Sequence, residues 1–148
     1  MKKAMKSRDA KEFIEKAREK FSIELPKKDR YETDESIVLI NNEPAFFYHE
    51  NELLPTLKFI LKNDILKKIT VDMGAVKFVA QGADIMRPGI TKIDNGIKKD
   101  EIIAVVDETH GKPFAIGKAL FPAEEIRAMG SGRAIRNIHY AGDEIWNI

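Results

Sequence analysis

The segment from Gly82 to Gly89 holds the residues best suited to contacting a phosphate or a ribose. Gly82, Ala83 and Gly89 are small, so a ligand can approach the backbone amides around them without meeting a long side chain. Among them lies Arg87, whose guanidinium can donate two parallel, charge-assisted hydrogen bonds to one phosphate. These residue types predict a binding surface. The alternative is that the glycines only permit turns.

The other reactive side chains match no familiar catalytic arrangement. Cysteine is absent, which removes disulfides, thiolate zinc sites and thiol nucleophiles. The histidines, His49, His110 and His139, do not stand at metal-ligand spacing. Asp72 is followed by no Gly-Lys-Ser/Thr, so it opens no P-loop, and Gly130 follows a predicted helix, unlike a dinucleotide fingerprint. We therefore expect no enzyme, no metal and no cofactor.

Composition indicates a folded chain of one or two small domains. Of the 148 residues, 43% are hydrophobic and 33% are charged, which provides both a core and a solvated surface. The apolar runs are too short to span a membrane. The basic N-terminus contains Asp9 and Glu12 where a signal peptide needs an apolar stretch. A cytoplasmic protein without a membrane partner is expected.

The net charge of +1 is unevenly distributed along the chain. Residues 1–30 carry +5, residues 31–67 carry −4, and residues 68–148 are neutral. A neutral domain argues against coating nucleic acid non-specifically, because that mode needs many phosphate contacts. The basic first segment is either an electrostatic contact surface or the solvated face of a helix.

The first half of the chain predicts two helices around a small antiparallel sheet. Apolar residues repeat at helical spacing over 9–21. Asp9, with Glu12 three residues later, is expected to cap the helix. The branched residues of 36–40 predict a strand, with 45–48 as its hairpin partner across an Asn-Asn turn. A second helix is expected to open at 54–57, with Pro55 in its first turn.

Beyond residue 68 the sequence alternates short β-rich runs with turns. Asp72 can cap a short helix over 73–80, and Gly82 stands where a left-handed helix stop is expected. Strands are expected at 69–71, 101–106, 113–119, 134–139 and 144–148, with a further short helix at 122–129. Several short strands with one or two small helices predict a compact, barrel-like β fold.

Ordered blocks in this half resemble the PUA domain. The run 71–90 (VDMGAVKFVAQGADIMRPGI) contains Gly-Ala, a short helix, Gly-Ala-Asp and Pro-Gly-Ile in the order of that family. The segments AIGKA at 115–119, the helix at 122–129 and NIHYAGDEIW at 137–146 follow at suitable spacing. Together with 54–66, they are similar to the malignant T-cell-amplified sequence family and to the corresponding part of ligatin.

The resemblance implies both a fold and a function. The fold would be α+β, with a small N-terminal α/β pre-PUA domain, 1–67, followed by a C-terminal PUA pseudo-barrel, 68–148. The function would be that of an RNA-binding, translation-related factor at the small ribosomal subunit, in initiation, reinitiation or recycling. Its partners would be structured RNA, either a tRNA 3′ end or rRNA, and a protein carrying a SUI1-like domain. A monomer is expected.

The resemblance also indicates which residues would contact RNA. Those in the loop are Gly82, Ala83, Asp84, Met86, Arg87, Pro88 and Gly89. Four basic residues are added, each with an ordinary surface charge as its alternative: Lys77, Lys118, Arg133 and Arg136. Because this domain is neutral, we expect a modest salt dependence and recognition of an exposed single-stranded end by shape.

Two residues of the last block have competing interpretations. Trp146 is expected to pack in the barrel, and the alternative is stacking on a base. His139 is expected to make a local hydrogen bond rather than to bind a metal.

Two other functions remain open. The acidic segment 31–67 brings together Phe46, Phe47 and Tyr48, and aromatic side chains often anchor interfaces, although they more often lie in a core. The chain would then be a protein-interaction adaptor. PUA domains also accompany RNA-modifying enzymes, and residues 1–67 are too few to hold one. An accessory RNA-binding subunit of a modification system is the third interpretation.

Overall fold

The structure, a computed structural model, describes residues 1–148 and divides into two compact units, Met1–Ile65 and Leu66–Ile148. Each unit combines two α-helices with one β-sheet. The predicted α+β class is therefore confirmed. None of the helices has the length and apolar character that crossing a membrane requires.

The first unit is a five-stranded antiparallel sheet with two helices. Its elements are β1 (Lys3–Ala4), α1 (Ser7–Phe21), β2 (Tyr31–Asp34), β3 (Ile37–Ile40), β4 (Glu43–His49), β5 (Glu52–Pro55) and α2 (Leu57–Lys62). The strands lie side by side in chain order. From β2 to β5 each connection is a short hairpin turn, since β3 pairs with both of its sequence neighbours and β4 does the same.

Helix α1 forms because its apolar residues share one face. The buried members of that face are Phe13, Ile14, Ala17 and Phe21. The ring of Phe13 meets that of Phe46 edge to face, with 5.4 Å between centroids. The helix begins at Ser7, so Asp9 lies in the first turn. The prediction that Asp9 caps the helix is wrong. Its carboxylate only interacts favourably with the helix dipole.

The second helix begins later than predicted, at Leu57. Pro55 belongs to β5, where it pairs with Phe46. An edge strand tolerates a proline because one side of it needs no donor. The cap is Thr56, whose hydroxyl accepts a hydrogen bond from the Phe59 amide at 3.2 Å. The prediction that Pro55 lies in the first turn of the helix is therefore wrong.

The aromatic run of β4 packs the core of the first unit. Phe46 and Phe47 are 0% and 1% exposed, and the ring of Phe46 also lies 4.8 Å from that of Phe59, between centroids. Their burial leaves the two phenylalanines no area for a partner protein. The interpretation of these two residues as interface anchors is wrong.

The second unit is a six-stranded, nearly closed pseudo-barrel. Its elements are β6 (Lys68–Val71), α3 (Met73–Val79), β7 (Ile85–Met86), a 3₁₀ turn (Arg87–Gly89), β8 (Ile90–Ile93), β9 (Ile102–Asp107), β10 (Pro113–Ala119), α4 (Ala123–Ala128) and β11 (Arg133–Tyr140). The strand order is β7-β11-β10-β9-β6-β8. Only β6 and β9 run parallel. Branched residues of β6, β9 and β11, such as Ile69, Val105 and Ile135, fill the core together with Ala123 and Ile126 of α4.

The last predicted strand, 144–148, is absent, and this segment forms turns. The carboxylate of Asp143 accepts hydrogen bonds from the amides of Tyr140 and Trp146, at 3.0 and 2.9 Å. These bonds fold the chain back on itself directly after β11. Trp146 is half-buried and stands outside the barrel core, so the prediction that it packs in the barrel is wrong.

His139 makes the expected local hydrogen bond. Its ring Nδ1 lies 2.8 Å from a carboxylate oxygen of Asp143, and its side chain is fully buried. Burial lowers the pKa of His139 more than the neighbouring carboxylate raises it. The folded protein therefore holds this ring in its neutral form to a lower pH than the unfolded chain does.

This burial makes stability depend on pH. The unfolded chain takes up a proton at His139 near pH 6.5, before the folded protein does. The contribution of neutral, buried His139 to the free energy of unfolding is therefore present above that pH. It is lost as the pH falls through the lowered pKa of the folded state. We expect urea unfolding between about pH 7 and about pH 5 to show this loss, and His139→Gln to show a smaller one. An identical pH dependence in the variant would contradict the assignment.

Candidate RNA-binding surface

The segment from Gly82 to Gly89, here called the 82–89 loop, connects α3 to β8 and contains the short strand β7 and the 3₁₀ turn. Helix α3 begins where Asp72 accepts a hydrogen bond from the Ala75 amide at 2.8 Å, and it ends before Gly82, whose φ is +99°. A Cβ at Gly82 would lie 3.0 Å from the ring of Tyr140. Both the backbone angle and the close ring favour glycine here. The predicted cap and helix stop are confirmed.

Asp84 fastens the 82–89 loop to β11. One carboxylate oxygen accepts a hydrogen bond from the backbone amide of Asn137 at 2.8 Å, and the other forms an ion pair with the guanidinium of Arg133 at 3.0 Å. The side-chain amide of Asn137 donates in turn to the carbonyls of Val79 and Ala83, both at 3.0 Å. Asp84 therefore positions the loop. Asn137 was missed in the sequence, because a lone asparagine in a strand carries no signal of its partners.

Hydrogen bonds of both its backbone and its side chain hold Arg87 in place. Its backbone amide donates to the carbonyl of Gly132 at 2.8 Å, next to the pairing of β7 with β11. Its guanidinium donates through Nε to the carbonyl of Ile126 at 2.6 Å and through Nη1 to that of Ile90 at 3.1 Å. Two of the five guanidinium donors are thus engaged with neutral oxygens. The positive charge stays unpaired, and the remaining donors can serve a ligand.

The end of the loop closes on the start of α3. The carbonyl of Gly89 accepts from the Asp72 amide at 2.9 Å. A Cβ at Gly89 would lie 2.9 Å from the Cβ of Ala75, closer than real Cβ atoms approach. The glycine therefore permits a tight contact between the loop and the helix. The exposed Pro88 precedes it.

Large apolar side chains of α3 and of the 82–89 loop are exposed, and one of them lies beside a cation. Met86 is 51% exposed and Phe78, on α3, is 60% exposed, while Ala83 is also exposed. The ammonium of Lys77 lies 5.4 Å from the centroid of the Phe78 ring. An exposed ring can stack on a base, and a cation beside it can contact a phosphate. Phe78 is not among the residues predicted from the sequence, although its place one residue before the buried Val79 puts it on a different face of the helix.

Two of the predicted basic residues lie elsewhere on the barrel. Lys118 of β10 and Arg136 of β11 stand directly opposite each other across the strand pair. Side chains alternate along a strand, so Arg136 projects from the face opposite to that of Ile135, which packs in the core. Arg133 contacts the loop through Asp84, whereas Lys118 and Arg136 are cross-strand neighbours on β10 and β11. No cluster of three or more His, Asp or Glu side chains is arranged to hold a metal ion.

Two protein-family models match the chain. Residues 67–141 match the family model described as the PUA domain. Residues 2–63 match a family described as a domain of unknown function, DUF1947. The first match covers the pseudo-barrel with its 82–89 loop, and the second covers most of the first unit.

Several curated proteins are similar over most of the chain. An uncharacterised protein of Methanocaldococcus jannaschii is 44% identical over 128 residues, covering 83% of this chain and 79% of the relative. Translation machinery-associated protein 20 of Saccharomyces cerevisiae is 35% identical, covering 83% and 75%. Malignant T-cell-amplified sequence 1 of Rattus norvegicus is also 35% identical, covering 84% and 74%.

Solved structures share the fold. A hypothetical protein of Pyrococcus horikoshii is 32% identical with a TM-score of 0.84, covering 99% of this chain and 98% of its own. A PUA-domain protein of Thermoplasma acidophilum is 28% identical with a TM-score of 0.82 and the same two shares. An H/ACA ribonucleoprotein bound to a substrate RNA is 27% identical with a TM-score of 0.53, covering 65% and 29%. The chain belongs to the family of PUA-domain proteins that includes malignant T-cell-amplified sequence 1 and translation machinery-associated protein 20.

Proposed function

We propose that this chain is a cytoplasmic, translation-related RNA-binding factor that contacts tRNA or rRNA at the small ribosomal subunit, in initiation, reinitiation or recycling. The PUA domain and the relatives named for the translation machinery support a translation-related, RNA-binding role and point to a non-catalytic protein. In this proposal residues 1–67 are a pre-PUA domain and residues 68–148 are the PUA domain that contacts RNA.

One observation carries the proposal: hydrogen bonds hold one side of the 82–89 loop in place, and its other side is exposed. Hydrogen bonds hold its inner side in place: Asp84 bonds to β11, Asn137 bonds to α3, and Arg87 bonds to α4. Its outer side leaves Met86 exposed, near the end of a helix that exposes Phe78. A surface held rigidly from behind loses little conformational entropy when it binds.

The composition of this surface indicates the form of RNA it takes. Lys77 and Arg87 supply few cations, so few phosphates are neutralised and the salt dependence is modest. Exposed Met86 and Phe78 instead favour an unpaired base that can stack. An exposed single-stranded end, such as the 3′ end of a tRNA, meets these requirements.

The exposed ring of Phe78 provides the main test. Because stacking on an aromatic ring contributes about 1 to 3 kcal/mol per base, Phe78→Ala should weaken tRNA binding by roughly 5- to 150-fold. Leu61→Ala is the matched control, since Leu61 is another helical apolar residue, 38% exposed, in the first unit. Titrations of labelled tRNA against each variant measure the effect.

Two results would contradict this proposal. Phe78→Ala with unchanged affinity would exclude the exposed face of α3 and its loop as the RNA surface. A tRNA whose 3′ end has been removed should bind more weakly than the intact molecule. Equal affinity for the two would exclude recognition of the terminus.

A groove in the first unit favours a second candidate function, that of a protein adaptor. Its volume is about 510 Å³, and its apolar lining consists of Ile40, Pro44, Ala45, Phe59 and Leu61. Apolar grooves of this size can receive side chains of a partner, which by family resemblance would be a protein with a SUI1-like domain. This groove replaces the buried Phe46 and Phe47 as the candidate docking feature.

The same pair of variants separates these functions in co-sedimentation with purified small ribosomal subunits. If RNA contact carries the association, Phe78→Ala should reduce it and Leu61→Ala should not. The reverse pattern would support the adaptor. Association with an RNA-modifying enzyme and not with ribosomal subunits would favour an accessory role, to which the fold shared with the H/ACA ribonucleoprotein also points.

A further inference from the structure

A small basic cleft lies at the end of the 82–89 loop. It has a volume of about 160 Å³ and is lined by Arg87, Ile90, Thr91, Lys92, Ile93 and Arg127. Three of these six residues are cationic, and none carries a carboxylate. Positive charge therefore converges in the cleft without a lining acid to neutralise it.

The two arginines are held in place by neutral oxygens. Arg87 donates to the carbonyls of Ile126 and Ile90. Arg127 donates through Nη2 to the carbonyl of Ile93 at 2.9 Å and to the side-chain oxygen of Asn95 at 2.7 Å. Neutral acceptors orient a guanidinium without cancelling its charge. Both groups are thus preorganised, and each keeps donors that an anion can accept from.

Lys92 completes the cleft as an unconstrained cation. It lies on β8 opposite Thr70 and is exposed. Its ammonium makes no hydrogen bond or ion pair within the chain, in contrast to Lys67 of the same unit, which pairs with Glu101. A free ammonium on a flexible stem can follow an anion held between two oriented guanidinium groups.

We propose that this cleft binds one phosphate group of the RNA, with Arg87, Lys92 and Arg127 as its ligands. The volume is below the roughly 300 to 1,000 Å³ of pockets that enclose whole small molecules, so it suits a phosphate. Arg87 belongs to both the 82–89 loop and the cleft. A strand whose terminal base stacks at the loop can therefore place a phosphate beside it. This inference rests on the proposed RNA-binding function and adds Lys92 and Arg127 to it.

Arginine side-chain signals in NMR spectra give a direct test. At constant ionic strength, we expect RNA to shift the Nε–H signals of Arg87 and Arg127, and expect inorganic phosphate to shift them more weakly. Chloride should leave them unchanged. Equal responses to chloride and phosphate would overturn the cleft as a phosphate site. Signals that respond to phosphate but not to RNA would overturn the proposal that the bound phosphate belongs to the RNA.

The variant Lys92→Gln tests the energetic contribution. Removing one of the three cations around the phosphate should lower the magnitude of the slope of log K against log salt by up to about 0.7 for single-stranded RNA. Lys99→Gln removes the same charge from another exposed lysine of the unit that lies outside the cleft, and it should leave the slope unchanged. Because the Lys92 ammonium makes no hydrogen bond or ion pair within the chain, its loss should have little effect on folding.

The outcomes separate this inference from the function on which it rests. If Lys92→Gln binds RNA like the unaltered protein while Phe78→Ala binds weakly, the cleft is overturned and the RNA surface stands. If neither variant loses affinity, the RNA surface itself is overturned. Weakened binding by both variants, with Lys99→Gln unaffected, supports the cleft and the surface together.

Discussion

Replacement of Gly117 by alanine should destabilise the second unit by about 3 kcal/mol or more, at the upper end of the range for overpacked cores. Gly117 is buried in β10, where the register with β11 shifts. A Cβ at this position would lie 2.6 Å from the carbonyl oxygen of Arg136 and 2.6 Å from Cγ2 of Ile135. The carbonyl belongs to the backbone of the paired strand, so it cannot move aside without distorting the β10–β11 pairing.

Gly130→Ala is the control for this substitution. Gly130 is exposed, does not have a left-handed backbone angle, and has open space around the position of a Cβ. Its replacement should be neutral, or stabilising by up to about 1 kcal/mol through the unfolded state. Urea unfolding monitored by far-UV circular dichroism compares the two variants. If Gly117→Ala unfolds at the same urea concentration as Gly130→Ala, the proposed clash does not exist.

Asn137→Asp should cost about 3 kcal/mol or more, although it barely changes the shape of the side chain. The side-chain amide nitrogen of Asn137 donates to the carbonyls of Val79 and Ala83, both at 3.0 Å. A carboxylate would place an oxygen against these two oxygens and would also bring a second negative charge close to Asp84. The 82–89 loop would then be held to β11 less firmly, by the Asp84–Arg133 ion pair and the pairing of β7 with β11.

Hydrogen exchange measures this loss locally. In Asn137→Asp, amides from Gly82 to Gly89 should exchange faster relative to those of β9 than they do in the unaltered protein. Asn51→Asp makes the same chemical change in an exposed turn of the first unit and should have little effect. RNA affinity should fall with the loss of loop protection. Retained protection of the loop in Asn137→Asp would show that these hydrogen bonds do not hold it.

Local patterns in the sequence predicted the elements whose cause is local. The apolar spacing before Phe21 predicted α1, and Asp72 and Gly82 predicted the two ends of α3, because caps and stops depend on a few adjacent residues. The β10 range, Pro113–Ala119, was predicted without error. Local signals failed at Pro55, which is compatible with both a helix start and an edge strand. They failed again after Tyr140, where hydrogen bonds to Asp143 outweigh the strand preference of the last residues.

The candidate site was predicted less completely, because its parts come from distant segments. The loop residues carry a recognisable motif, but Asn137 gains its role only when β11 pairs with β7. Arg127 and Lys92 are isolated cations in the sequence, and only the fold brings them beside Arg87. The sequence predicts only a phosphate contact for Arg87, whereas its side chain also joins α4 to the start of β8. Contacts of this kind depend on tertiary packing.

The strand order has a consequence for how the chain folds during synthesis. From β2 to β5 the first sheet joins sequence neighbours, so each hairpin can close soon after it is made. The second sheet pairs Lys68 with Ala104 and Ile85 with Ile135, and the closure of such long loops is entropically costly and slow. The 82–89 loop cannot reach its final shape until β11 has been synthesised. A nascent chain thus completes its first unit well before it acquires a surface that can hold RNA.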